Sequence, residues 1–224
     1  MTDNHASGGA GRVIRVLIVD DHPIVRHGLA RMIEQHEDLC VCCEADNAAD
    51  ALELIESDSP DVAVVDLSLK HSNGLDLIKD AHLRKGDLPI LVLSMRDESV
   101  YAERALRAGA RGYITKDEAT ANVIEGIRKV LAGEIYLSRK MVGKVLRNIV
   151  PGSTPAAHAT ARLTVREMEV LERIGAGLTT AEIAAALQLS AKTIETYRER
   201  IKQKLGLAGA SELLRYAIEW VHSR

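Results

Sequence analysis

The chain has 224 residues, of which 46% are hydrophobic and 27% are charged, and its formal net charge is −3. These values fit a globular protein of one or two domains. No apolar run approaches the ~20 residues of a membrane span, and the start of the chain lacks a signal-peptide core, so we expect a cytoplasmic protein without a membrane partner.

Charge is distributed unevenly along the sequence. Residues 1–146 hold 18 Lys and Arg against 24 Asp and Glu, giving −6, whereas residues 162–224 hold 10 against 8, giving +2. An acidic first part joined to a mildly basic second part predicts two domains with different partners.

Residues 1–12 are small and polar, which predicts a disordered leader. Farther on, Cys40, Cys42 and Cys43 fall within four positions. On a regular strand Cys40 and Cys42 share one face and Cys43 takes the other. We interpret them as buried, reduced thiols; metal or redox chemistry is the alternative, although no fourth cysteine exists to complete a Cys₄ site.

Five apolar runs alternate with helical patterns between residues 13 and 133. The runs begin at Val13, at Val41 with its cysteines, at Val62, at Pro89 and at Arg111. Strands that alternate with helices of this length predict an α/β fold with a five-stranded parallel, doubly wound (flavodoxin-like) sheet and helices on both faces.

Polar residues stand where these runs end: Asp20, Asp21, Asp66, Ser94 and Lys116. Right-handed crossovers place the ends of parallel strands at one edge of a sheet, where such folds bind ligands. Crowded carboxylates repel one another unless a cation lies between them, so the pattern predicts a Mg²⁺ site. A purely structural acid cluster is the alternative.

The same residues suit phosphoryl chemistry. Asp66 is central and is the candidate nucleophile, since carboxylates form acyl phosphates. The ammonium of Lys116 and the hydroxyl of Ser94 are donors for phosphoryl oxygens, whose charge spreads during transfer.

Residues 13–133 resemble the receiver domain of two-component response regulators. The resemblance is carried by four motifs: Val19-Asp20-Asp21-His22, Val65-Asp66 followed by Gly74, Leu93-Ser94-Met95, and Gly112-Tyr113-Ile114-Thr115-Lys116. Many receivers have proline after this lysine, whereas Asp117 stands here, which excludes a cis X-Pro bond at that point.

The resemblance implies a role for each motif residue. Asp66 accepts a phosphoryl group from the phosphohistidine of a sensor histidine kinase. Asp21, Asp66 and the backbone carbonyl of Ser68 bind Mg²⁺, and Asp20 holds a metal-bound water. Ser94 and Tyr113 form a switch in which the hydroxyl moves toward the phosphoryl group and the ring turns inward, while Lys116 bridges to the phosphate. His22 and His71, which lie near these motifs, are interpreted as exposed loop histidines.

Residues 134–160 are predicted to form a helix, over about 138–149, followed by a flexible linker that contains Pro151 and Pro155. The rest of the chain is predicted to be all-α with four helices. Thr164 and Glu167 form a capping box for the first helix, Thr179 or Thr180 caps the second, Ser190 the third and Ser211 the fourth.

Residues 161–224 resemble the LuxR-type DNA-binding domain, so the whole chain resembles the NarL/FixJ response regulators. The motifs run from Leu163-Thr164-Val165-Arg166-Glu167 to Lys204-Leu205-Gly206 and include two amphipathic helices joined by a tight turn around Leu189-Ser190. That arrangement is typical of a helix-turn-helix, whose second helix enters the major groove. From charge alone, solvated surface is the favoured explanation of the polar face of this helix, and the motifs are what indicate DNA binding.

The resemblance assigns base readout to Glu195, Thr196 and Glu199. It makes a larger set candidates for phosphate contacts, which position a protein without specifying sequence: Lys192, Thr193, Arg198, Arg200, Lys202 and Lys204. Tyr197, where the family often has histidine, is interpreted as packing. The last helix, with Leu213, Leu214, Ala217 and Ile218, is expected to supply core, and the resemblance implies that it also supplies a dimer surface.

The sequence therefore predicts a regulator, not an enzyme: phosphorylation of Asp66 controls dimerisation and binding to double-stranded DNA, with RNA polymerase as a further partner. Two alternatives stay open. One is a phosphorylation-independent DNA-binding protein whose receiver is a dimerisation scaffold. The other is a Mg²⁺-dependent phosphatase that uses the same carboxylates.

Overall fold

The computed structural model describes residues 12–69, 73–138, 141–142, 160 and 163–222. It divides into two compact units, residues 1–144 and 145–224. Apart from Arg12, the predicted leader lies outside the described residues, as do His71 and most of the predicted helix and linker of residues 134–160. Within the described ranges, no helix combines the length and the apolar character needed to cross a bilayer.

The first unit alternates strands with helices. Its strands are β1 (Ile14–Val19), β2 (Leu39–Ala45), β3 (Val62–Val65), β4 (Ile90–Ser94) and β5 (Gly112–Thr115). Its helices are α1 (Pro23–Glu34), α2 (Ala48–Ser57), α3 (Gly74–Arg84), α4 (Glu98–Ala108) and α5 (Ala119–Leu131), with a 3₁₀ turn at Lys116–Glu118. The strands are parallel and ordered β2-β1-β3-β4-β5, which confirms the predicted five-stranded doubly wound sheet.

Apolar side chains cover both faces of this sheet. On one face, Val16, Val64 and Leu91 pack with Ile33 of α1 and Ile127 of α5 in one buried cluster. Helices α2, α3 and α4 contact one another in sequence and form the other layer. Strands buried on both faces need continuous apolar runs, which is why the sequence predicted them correctly.

Strand β2 contains an irregularity at its cysteines. Val41 pairs with Val16, but the next pair along the ladder joins Leu17 to Cys43. The extra residue is Cys42, and the sulfur atoms of Cys42 and Cys43 lie 3.1 Å apart. The prediction that Cys43 takes the face opposite to Cys42 is therefore wrong, because a β-bulge interrupts the alternation of a strand. All three cysteines are free and half-buried.

The chain that follows α5 stays on the sheet. Tyr136 forms a parallel bridge with Gly112, its N–H donates to Arg111 at 2.9 Å, and its carbonyl accepts from Tyr113 at 2.8 Å. The first unit therefore extends beyond the predicted boundary at residue 133. Met141 and Val142 are helical, and the rest of the helix predicted to follow lies outside the described residues.

The second unit is helical. It consists of α6 (Val165–Gly175), α7 (Thr180–Leu187), α8 (Ala191–Leu205) and α9 (Ala210–His222). The capping box of Thr164 and Glu167 is present, and Thr179 and Ser190 cap α7 and α8 as predicted. The predicted cap at Ser211 is wrong: α9 begins at Ala210, and Gly209 supplies the carbonyl that accepts from Leu213 at 3.1 Å.

Helices α7 and α8 are joined by a short turn. Gln188 at the end of α7 adopts a left-handed conformation with φ 54°, and Ser190 already caps α8. Helix α6 packs against α8 and α9, and a Cβ on Gly175 would lie 2.6 Å from Val221. The close approach of α6 and α9 therefore requires glycine at this position.

Candidate functional site

Three carboxylates meet at the carboxyl edge of the sheet. Asp20 and Asp21 follow β1, and Asp66 follows β3; they are only 1%, 9% and 2% exposed. One side-chain ligand atom from each, together with one from His22, lies within 4.8 Å of the others. His22 is exposed, as predicted, yet its Nδ1 is 3.1 Å from Asp20 and 2.7 Å from Asp21.

Lys116 brings a positive charge into this cluster from the end of β5. Its Nζ lies 2.6 Å from Oδ2 of Asp20 and 2.7 Å from Oδ2 of Asp66. Burial by itself lowers the pKa of Lys116, but the charge of Asp66 and the hydrogen bonds to both carboxylates outweigh it and raise the pKa above its ordinary value. The ammonium is therefore charged and is held beside Asp66.

Ser94 and Tyr113 are buried residues of the neighbouring strands β4 and β5. Ser94 ends β4 and is fully buried, and its hydroxyl accepts from the backbone N–H of Arg96 at 3.3 Å. The ring of Tyr113 is turned into the protein, 1% exposed, and its hydroxyl donates to the carbonyl of Arg96 at 2.9 Å. Burial raises the pKa of Tyr113, so this hydroxyl remains protonated and is available as a donor.

Arg96 is a residue of this site that sequence reasoning missed. Its Nε donates to the hydroxyl of Ser68 at 3.1 Å, and its guanidinium lies 5.9 Å from the ring centroid of Tyr101. It therefore joins the loop after β4 to the loop after β3. Arg96 falls outside the quoted motifs, and only its position two residues after Ser94 connects it with the site.

The loop after β3 is packed tightly under Asp66. The N–H of Ser68 donates to Oδ1 of Asp66 at 3.1 Å, which holds that carboxylate in place. A Cβ on Gly74 would lie 2.5 Å from the Cα of Leu67 and nearer still to the carbonyl oxygen of Asp66. Gly74 is thus required because the backbone of the loop after β3 lies directly against the start of α3.

The residues present fit a magnesium ion. Asp20, Asp21 and Asp66 are buried, and their ligand atoms crowd around one point within 4.8 Å of one another. Clustered carboxylates are the hard oxygen ligands that Mg²⁺ prefers. Lys116 supplies only one positive charge against three negative ones, so a divalent cation would neutralise the remainder.

The second unit presents α8 as its candidate interface. Ile194 and Ile201 are buried, which leaves the opposite face in solvent. That face carries exposed Lys192, Thr196 and Arg200. Tyr197 is half-buried on the side of the core, in agreement with a packing role.

Two acids on this exposed face are already paired. Oε1 of Glu195 accepts from the hydroxyl of Thr180, the first residue of α7, at 2.8 Å, and Arg198 lies 3.8 Å from its other oxygen. Glu199 pairs with Lys202 at 2.7 Å. These contacts hold the two carboxylates in defined positions on the surface of α8.

Lys204 and Thr193 have structural partners. Nζ of Lys204 lies 2.6 Å from the carboxylate of Glu167, which is 1% exposed at the start of α6, so this lysine holds α8 against α6. Thr193 shares a hydrogen bond with the helix cap Ser190 at 2.8 Å. Both contacts direct polar atoms of the two predicted phosphate-contact residues toward the protein.

The last helix divides its apolar residues between two faces. Leu213 and Ala217 are fully buried, whereas Leu214 and Ile218 are 43% and 39% exposed. Because Leu214 and Ile218 are four residues apart, they lie side by side on the surface of α9.

Comparison with known families agrees with this division of the chain. Residues 16–128 match the family described as response regulator receiver domain, and residues 161–217 match the family described as bacterial regulatory proteins, luxR family. The second match contains α6, α7 and α8, with their capped starts.

Several proteins resemble this chain over nearly its whole length. The response regulator UvrY of Escherichia coli K12 is 32% identical over 207 residues, covering 92% of this chain and 94% of UvrY. The oxygen regulatory protein NreC of Staphylococcus carnosus is 32% identical over 212 residues, covering 92% of this chain and 97% of NreC. A solved structure that matches this chain is RcsB from Salmonella enterica serovar Typhimurium, bound to a promoter in the presence of the phosphomimetic BeF₃⁻. Its TM-score is 0.58 and its identity is 28%, and the match covers 91% of this chain and 98% of that of RcsB.

Proposed function

The chain belongs to the two-component response regulators that join a receiver to a LuxR-type DNA-binding domain, and we propose that Asp66 is its phosphoryl acceptor. One observation carries the proposal. Asp66 is buried at the carboxyl end of β3, 2.7 Å from the charged ammonium of Lys116 and in contact range of Asp20 and Asp21. Catalysis of phosphoryl transfer rests on positioning and charge, and this pocket supplies both.

In the proposed reaction, an oxygen of Asp66 attacks phosphorus and the bond from phosphorus to the donor's imidazole nitrogen breaks. Asp20, Asp21, Asp66 and the carbonyl of Ser68 would hold Mg²⁺, which when bound neutralises charge on the phosphoryl oxygens. Lys116 already lies beside Oδ2 of Asp66 and donates to a phosphoryl oxygen formed there. The partner that donates the group is a sensor histidine kinase.

The hydroxyl of Ser94 supplies the switch. Its oxygen now accepts from the N–H of Arg96, and donating its O–H to a phosphoryl group on Asp66 would draw that oxygen away from Arg96. Tyr113 already lies inward and donates to Arg96, so the loop after β4 is held by both switch residues. Phosphorylation therefore changes the contacts of a single loop, which is the kind of local event that shifts a conformational equilibrium.

The proposed output is sequence-specific binding of α8 in the major groove of DNA. Lys192, Arg198, Arg200 and Lys202 are our candidates for phosphate contacts, with Thr193 at the helix start. Because Lys204 is paired with buried Glu167, we assign it to holding α8 in place and remove it from the phosphate-contact set.

Base readout is proposed for Glu195, Thr196 and Glu199. The carboxylate of Glu195 keeps a free acceptor position while Thr180 fixes its orientation, which suits a donor such as the amino group of cytosine. Phosphate contacts would provide most of the affinity and these three residues the selectivity.

We further propose that the active form is a cytoplasmic homodimer that contacts RNA polymerase at its promoters and turns over no substrate. Exposed Leu214 and Ile218 of α9 are the candidate apolar contact between two copies. A two-fold dimer places two copies of α8 on an inverted pair of half-sites.

DNA affinity measured in two phosphorylation states tests this proposal. Preferred sequences are first selected from random duplexes with the full chain, Mg²⁺ and beryllofluoride at fixed salt, because phosphate contacts make affinity salt-dependent. We expect beryllofluoride to tighten binding of the wild type and to leave Asp66→Asn unchanged. An equal affinity of both proteins under both conditions favours a phosphorylation-independent regulator, and steady release of phosphate from phosphomonoesters favours the phosphatase.

A further inference from the structure

The first residue of α4 holds the chain where it leaves the sheet. The half-buried carboxylate of Glu98 accepts the backbone N–H of Ser138 at 2.8 Å and, through its other oxygen, the hydroxyl of Ser138. The two residues are 40 positions apart in sequence, so the contact joins two distinct segments. We call this pair the Glu98–Ser138 clasp.

Ser138 in turn holds a helical turn at Met141 and Val142, which precedes the second unit along the chain. Its carbonyl accepts from the N–H groups of Met141 and Val142 at 3.0 Å, and its hydroxyl accepts from the N–H of Met141 at 3.2 Å. Met141 is 2% exposed, so this turn is anchored in the first unit. Just before it, Tyr136 is fixed to the edge of β5. The Glu98–Ser138 clasp therefore fixes the position of Ser138, from which the chain continues to the second unit.

The other end of the clasp is joined to the phosphoryl-acceptor pocket. Only three residues separate Glu98 from Ser94, and the middle one, Arg96, is held by Ser94, by Tyr113 and by Ser68. Both switch side chains thus act on the loop that leads directly into Glu98. A shift of this loop moves the start of α4, and the carboxylate of Glu98 moves with it.

We propose that Glu98 and Ser138 are positioning residues that transmit the state of the Asp66 pocket to the chain leading to the DNA-binding unit. This inference rests on the proposed function and names the contacts through which the Asp66 pocket would act on the chain leading to the DNA-binding unit. When Ser94 turns to a phosphoryl group, Arg96 loses an acceptor, the loop rearranges, and Glu98 carries Ser138 to a new position.

The experiment measures the ratio of DNA affinities with and without beryllofluoride and Mg²⁺ in the full chain. Allosteric couplings typically amount to about 5–150-fold in affinity. We expect Glu98→Ala to reduce the wild-type ratio by at least about fivefold. Ser138→Ala, which keeps the backbone contact, should reduce it less, and the double variant should match Glu98→Ala alone because both changes break one connection.

Two further variants separate coupling from general damage. Glu98→Gln keeps one carbonyl acceptor for the N–H of Ser138 and should restore part of the ratio. Glu103→Ala removes a carboxylate paired with Arg107 on the same helix and should leave the ratio within about twofold of wild type. The extent of phosphorylation of Asp66 should be unchanged in every variant, since none removes a group of the pocket.

The outcomes distinguish this inference from the proposed function. A wild-type ratio of one overturns both. A wild-type ratio well above one that survives in Glu98→Ala overturns the clasp alone. Failure of Glu98→Ala to take up a phosphoryl group also overturns it, because Glu98 would then act on the pocket itself. A ratio lost in Glu98→Ala, partly restored in Glu98→Gln and kept in Glu103→Ala supports the clasp.

Discussion

Replacing Asp21 by asparagine should stabilise the metal-free protein. Asp20, Asp21 and Asp66 are buried with their ligand atoms within 4.8 Å of one another. Lys116 contacts Asp20 and Asp66, and the exposed His22 lies 2.7 Å from Asp21. At an effective dielectric constant of about 20, two unit negative charges 4.8 Å apart repel by roughly 3.5 kcal/mol. Asp21 takes part in two such pairs.

The net effect is smaller than the sum of these repulsions. Lys116 also attracts Asp21, and water and salt at the rim screen the charges, so we expect about 1–3 kcal/mol to remain. For a chain of this size each kcal/mol raises the unfolding midpoint by roughly 2–4 °C. Thermal unfolding in a chelating buffer should therefore show Asp21→Asn melting above the wild type.

Magnesium should reverse this order. A ligand present at about 100 times its dissociation constant stabilises the state that binds it by about 2.7 kcal/mol, and the wild type should gain this while Asp21→Asn gains far less. Asp38→Asn, which removes a half-exposed carboxylate paired with Arg128, is the control and should shift neither curve. A metal-free Asp21→Asn less stable than the wild type would refute the reasoning, because the attraction of Asp21 to Lys116 and its contact with His22 would then outweigh the repulsion from the other two acids.

Three other expectations follow from the packing and the charges. Gly74→Ala should lower the free energy of unfolding by about 1–3 kcal/mol and slow phosphorylation of Asp66, because the added methyl group would meet the loop after β3. A wild-type free energy of unfolding in urea, together with a wild-type rate of phosphoryl uptake, would contradict this prediction. Glu167→Gln should lower the free energy of unfolding by about 1–2 kcal/mol, because it breaks the ion pair with the partly exposed Lys204. In the same urea unfolding measurement the control Glu199→Gln, which breaks an exposed pair with Lys202, should lower it by less than about 0.5 kcal/mol. Burial and the hydrogen bond shared with Cys42 raise the pKa of Cys43 to about 12. At pH 8 iodoacetamide should therefore label this thiol on the order of 100–1,000 times more slowly than a free cysteine, and labelling at the free rate would contradict the prediction.

The sequence predicted the sheet and its site through different physical rules. Buried strands such as Val62–Val65 require continuous apolar residues, and parallel topology then brings Asp20, Asp66 and Lys116 together without further information. Capping boxes are equally local, which is why the starts of α6 and α7 were predicted to within a residue.

Features that depend on tertiary packing were not predictable in this way. The bulge at Cys42 depends on the register in which β2 pairs with β1, and the alternation of residues within one strand does not indicate it. The contacts of Arg96 with Ser68 and of Glu98 with Ser138 join loops far apart in sequence, and each residue by itself is an ordinary surface charge. The pairing of Lys204 with Glu167 likewise became visible only when α6 and α8 were packed together.

The central claim is that Asp66 receives the phosphoryl group, and locating that group tests it most directly. The full chain is incubated with Mg²⁺ and acetyl phosphate, the acyl phosphate is trapped by borohydride reduction, and peptides are sequenced by mass spectrometry. We predict modification at Asp66 and its loss in Asp66→Asn and on chelation of Mg²⁺. Modification at a different residue, or uptake that persists in Asp66→Asn, would contradict it.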